Sequence, residues 1–113
     1  GRNAARGRRI YGADANGEHV NLIDESSRGF EARKMLENPL FVECLATMRD
    51  SITAKWRSAP IRDREGMHEL KLMDKILTDF ETYFRTLAET GKMADIQLEQ
   101  EQKLLRLRKS GIR

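Results

Sequence analysis

The chain holds a single cysteine, Cys44, in 113 residues. An internal disulfide is therefore excluded, as is any zinc site built from several cysteines, and a reducing compartment is expected. Only two histidines occur, His19 and His68. Neither stands at a metal-ligand spacing from a second His or Cys, so both are expected to be surface or capping residues. Aromatic residues make up 6% of the chain, against 35% charged and a mean hydropathy of −0.67, which leaves little material for a core. No apolar run approaches the ~18 residues needed to cross a bilayer. Arg8-Arg9 has no apolar stretch behind it, and Gly1 lacks a Ser or Thr five residues on, so neither a secretion signal nor a myristoyl anchor is expected. Phosphate-binding glycine loops and nucleophile elbows are missing as well. No enzymatic activity, cofactor or small-molecule substrate is expected.

What is abundant is charge, and it is unevenly placed. Residues 1–10 carry Arg2, Arg6, Arg8 and Arg9 without an acid. Residues 103–113 carry Lys103, Arg106, Arg108, Lys109 and Arg113, again without an acid. With +4 and +5 at the ends and +3 in total, residues 11–102 hold −6. Basic ends on an acidic body suit tails that reach for nucleic acid or an acidic protein surface.

The strongest periodic stretch runs from Asp63 to Gly91. Leu70, Met73, Leu77, Phe80, Phe84 and Leu87 recur at steps of three and four, one face of a helix. Asp63 is the expected N-cap and Gly91 the expected αL C-cap, giving a rod of roughly 40 Å. Burying each such side chain contributes roughly 1.5–3 kcal/mol, while each ordered backbone residue costs about 1–2 kcal/mol. The rod therefore needs a partner along its length. A preceding helix is expected from Pro39, capped by Asn38, to about Ser58, with Phe41, Leu45, Met48, Ile52 and Trp56 in one stripe. In this stripe Trp56 is the expected core anchor, and Cys44 beside it is expected to fill core space. Ala59-Pro60 and a short link then imply an antiparallel αα-hairpin.

The flanks are less regular. Asn16-Gly17, between Ile10-Tyr11 and Val20-Leu22-Ile23, is a hairpin signal, so residues 1–25 are expected to form a basic extended arm with a small β-hairpin. Asp14, Asn16 and Glu18 alternate like a calcium loop, but the third position is Asn and no helix precedes it, so no calcium site is expected. A short amphipathic piece is expected from Ser26 or Ser27 to Glu37. After Gly91, a third helix from Ala94 to about Lys109 carries Ile96, Leu98, Leu104, Leu105 and Leu107. The expected division is thus an arm at 1–25, an α-hairpin core at 26–92, and a C-terminal helix with a basic tail at 93–113, all-α apart from the arm. The paired acids Glu65/Glu69 and Asp74/Glu81 belong to a solvated face.

Leu72, Ile76 and Tyr83 remain unburied once the main stripe is used, and with Ile96, Leu104 and Leu107 they are the expected protein interface. Arg2, Arg6, Arg8, Arg9, Lys103, Arg106, Arg108 and Lys109 are the expected contacts to DNA or an acidic partner.

Three stretches resemble small helical proteins encoded among the head genes of tailed bacteriophages and gene-transfer particles. They are Glu37-Asn38-Pro39-Leu40-Phe41, then Trp56 with Ser58-Ala59-Pro60-Ile61-Arg62-Asp63, then Glu89-Thr90-Gly91-Lys92. The resemblance covers about residues 30–95 and carries no catalytic signature. It implies a virion or packaging role, assembly in the host cytoplasm, and other virion proteins or further copies of the chain as partners. DNA is the alternative partner, in a packaging factor similar to a small terminase.

Overall fold

The computed structural model describes residues 15–111. Arg2, Arg6, Arg8, Arg9 and the Ile10-Tyr11 stretch lie outside the described residues, as do residues 112–113. All described elements are helical: α1 Ala15–Glu37, α2 Pro39–Ser58 and α3 Arg64–Gly111.

The α1–α2 boundary follows from Asn38-Pro39. Asn38 takes an extended backbone (φ −69°, ψ 122°), and its side-chain oxygen accepts from the Leu40 and Phe41 N–H groups at 2.9 and 3.1 Å. Pro39 occupies the first turn, where its missing N–H has no helical partner to lose. At the other end of α2, Ala59 turns extended before Pro60. Asp63 then caps α3 by accepting from the Gly66 N–H at 2.9 Å.

Three expectations about these elements are overturned. Asn16-Gly17 does not turn a hairpin: both residues lie in α1, which is already helical at Ala15, well before Ser26. An isolated two-stranded ribbon is barely stable in water, whereas a helix here gains α3 as a packing partner. Gly91 is not a C-cap, because α3 runs through it without interruption for 48 residues, about 72 Å. There is consequently no separate C-terminal helix.

Why Gly91 continues the helix is visible across from it. A Cβ on Gly91 would stand 2.7 Å from the Gly29 Cα and 3.0 Å from the Glu25 carbonyl oxygen; one on Gly29 would stand 2.6 Å from the Gly91 Cα. The backbones of α1 and α3 touch, and any side chain would separate them. Ala32, Ala88 and Ala94 are buried around this crossing. The two helices are antiparallel: His19 pairs with Glu101 at 3.0 Å, Ser26 donates to Asp95, and Gly29 meets Gly91. Leu70, Leu77, Phe84, Gly91 and Leu98 fall seven residues apart on α3, as do Leu22, Gly29 and Leu36 on α1. Seven-residue spacing is that of a left-handed coiled seam.

The first half of α3 faces α2 differently. Phe41 packs on Phe84 and Phe80 with ring centroids 5.3 and 6.1 Å apart, and Phe80 packs edge-on to Phe84. Arg49 reaches Glu81 at 2.9 Å. Leu45 and Leu77 are buried here. The most extensive packing of α3 is thus with α1 rather than with α2. The molecule is long and thin, 77 × 39 × 16 Å, with a radius of gyration of 21.9 Å where a compact chain of this length has about 13 Å.

Trp56 is not a core anchor. It is 55% exposed, beside Met67, Leu70 and Lys71 at an edge that α1 does not cover. Cys44 is likewise exposed rather than core-filling, with its thiol 3.8 Å from the Met48 sulfur.

Candidate docking surface

Among the described residues the buried apolar side chains are Ala32, Leu45, Leu77, Ala88 and Ala94, none larger than leucine. The bulky apolar residues are instead largely at the surface, and one group of them, Met48, Met73, Ile76 and Phe80, lies where α2 and α3 diverge. Helix separation is set by the side chains at the contact. Phenylalanines hold α2 off α3, whereas glycines let α1 touch it. The result is an open groove of about 560 Å³ between α2 and α3. Phe41, Cys44, Leu45, Met48 and Ile52 form one wall; Met73, Ile76, Leu77 and Phe80 form the other. Ser51 and Lys55 are its polar members.

Leu72, Ile76 and Tyr83 continue the α3 wall outward. They follow at steps of four and seven, so they stand above one another on one side of the helix. All three are exposed, Ile76 the most at 67%. Tyr83 also accepts a hydrogen bond from Arg28 at 3.4 Å, which ties the end of the surface to α1. Ile96, Leu104 and Leu107 are exposed too, but they do not join this surface. At about 100° per residue, Ile96 faces the opposite side of α3 from Ile76. The six expected interface residues therefore form two separate patches. Met48, Met73 and Phe80, expected to be buried in the stripe, are about half exposed and belong to the larger patch.

The basic C-terminal residues are all exposed on the last turns of α3. Lys103, Arg106, Arg108 and Lys109 surround the helix instead of lining one face, so they form a charged knob. Glu81 binds both Arg85 and Arg49, which hold its carboxyl below the usual range. Among the described residues no cluster of His, Cys, Asp or Glu could hold a metal ion, and no helix is long and apolar enough to cross a membrane.

No family model matches the chain, and no curated protein or solved structure matches it. The signal that could have revealed the α1–α3 crossing was the seven-residue phase shared by the glycines and leucines. For Met48 and Cys44, helical periodicity gave the side of α2 but not the distance to α3.

Proposed function

We propose that this chain is a non-enzymatic structural or assembly protein of a phage-like particle, one that works by docking. In this reading α2 and α3 form an αα-hairpin platform. The apolar flank of Leu72, Ile76 and Tyr83, with the adjoining groove, binds a head, portal or tail component or a further copy. The basic ends lie over neighbouring subunits. The observation that carries it is the inversion of the usual burial order. Alanines and two leucines are buried, while phenylalanine, methionine and isoleucine side chains line an open groove. The particle assignment is supported by the resemblance over about residues 30–95.

The test is molar mass by light scattering after gel filtration, for the native chain and for Leu72→Glu/Ile76→Glu. Both positions are exposed, so helicity by circular dichroism is expected to be unchanged while assembly is lost. Assembly that persists in the double variant would refute docking through this flank.

A second reading, a DNA-packaging factor, is favoured by the cationic knob at the end of α3. It predicts affinity for a short duplex falling steeply with salt, because several phosphate contacts release counterions. Docking through Leu72 and Ile76 predicts an assembly that high salt leaves intact.

A further inference from the structure

The groove and flank have a specific shape and charge pattern, and building on the docking function just proposed, we infer that their occupant is a second copy of this chain, packed antiparallel about a two-fold axis beside Leu77. Three observations converge on a self-complementary surface.

The first is area. Leu72, Met73, Ile76, Phe80, Tyr83 and Met48 are each between 46% and 67% exposed. Taking roughly 200 Å² for each, the middle of the 150–250 Å² range of the aromatic members Phe80 and Tyr83, about 100 Å² of each remains open, or at most about 600 Å² per copy. Two copies meeting there bury about 1,200 Å², where stable specific interfaces begin. Backbone and flanking groups add to that.

The second is register. An antiparallel copy with its axis beside Leu77 brings Leu72 opposite the second copy's Tyr83 and Ile76 opposite its Phe80. The flanks of the two copies then lie against each other, with each Ile76 set against the groove wall at the second copy's Phe80. Such isologous pairing closes with two subunits and leaves no edge for further growth.

The third is charge. Lys75 and Asp79 border the ridge on the same side, 3.7 Å apart within one helix and about two-thirds exposed. In the antiparallel register each Lys75 lands beside the second copy's Asp79. The pair is thereby matched to itself, twice per dimer.

The experiment uses the full chain and two single variants, K75D and D79K. The native chain is expected at twice 13.1 kDa in sedimentation equilibrium at micromolar concentration. K75D places acids against acids and D79K places bases against bases, so each alone dimerises about tenfold more weakly. An equimolar mixture of the two is expected to recover native affinity. Since the Lys75–Asp79 contact within the helix is absent from both variants, that recovery can arise only between copies. A native chain that stays at 13.1 kDa overturns the inference. So does a mixture no tighter than either variant alone. If Leu72→Glu/Ile76→Glu dissolves an assembly whose charge variants do not recover, docking stands and the antiparallel register falls. If that double variant has no effect, both fall.

Discussion

The long helix α3 has two halves, and they are packed by opposite means. From Phe84 toward its C-terminus it lies against α1 through glycine and alanine, so closely that a single Cβ would reach the facing backbone. From Phe84 toward its N-terminus it is held off α2 by phenylalanines, and a groove opens. The close half buries Ala88, Gly91 and Ala94 against α1 and leaves Met93, Ile96, Leu104 and Leu107 at the surface without a groove. The splayed half leaves phenylalanine, methionine and isoleucine side chains around an open groove, and the proposed docking surface is there. The bulkiest side chains thus give the looser packing, because two helices cannot contain them without a further layer.

The sharpest way to break this contrast is to put a methyl group at the crossing. In a solvent-exposed helix, Gly→Ala stabilises by up to about 1 kcal/mol. At Gly91 the added Cβ meets the Gly29 Cα at 2.7 Å, and that neighbour is backbone, which cannot step aside. Gly91→Ala is expected to destabilise by about 3 kcal/mol, the cost of an overpacked core. Hydrogen exchange distinguishes the halves: amides of α1 should lose protection while those of α2 keep theirs. A variant as stable as the native chain would show that the helices do not touch there.

A smaller effect is expected in the splayed half. Leu77 is 6% exposed, yet the groove runs along its side. Core Leu→Ala changes cost about 2–5 kcal/mol, least where the site can relax. Leu77→Ala should therefore sit near 2 kcal/mol in urea denaturation, below Gly91→Ala, although it removes three carbons where the glycine change adds only one. If it costs more than the glycine change, the groove is closed in solution.

The helix boundaries were legible in the sequence because caps and prolines act within a few residues. Asn38-Pro39, Ala59-Pro60 and Asp63 each fix a helix start or stop by local hydrogen bonds and excluded conformations. The glycines were not legible by the same reasoning. Gly91 carries a cap signal, but glycine serves a close helix approach equally well, and packing against Gly29 of α1 decided between them. Trp56 shows the same limit from the other side. Its phase in the α2 stripe is right, but periodicity gives direction and not cover, and among the described residues no third helix reaches that end. Of the candidate surface, Leu72, Ile76 and Tyr83 were readable as surplus apolar positions. The groove beside them depends on how far Phe41, Phe80 and Phe84 hold the helices apart, a distance no one-dimensional pattern contains.

The smallest effect concerns Glu81, whose ion pair with Arg49 bridges α2 and the first half of α3. Glu81 accepts from Arg85 on its own helix and from Arg49 on α2, and its side chain is only 19% exposed. Those two guanidiniums, Arg85 foremost, lower its pKa below 4.5. A carboxylate whose folded value is depressed adds stability above its unfolded pKa and loses it as the pH falls through the folded one. Glu81→Gln should thus cost about 0.5 kcal/mol at neutral pH, since both arginines remain partly in water. The difference between native and variant should shrink below pH 4.5 and disappear once the native carboxyl is protonated. Parallel urea titrations from pH 7 down to strong acid measure it. A gap independent of pH would mean that Glu81 holds α2 by shape and not by charge, leaving the aromatic contacts alone to set the width of the groove.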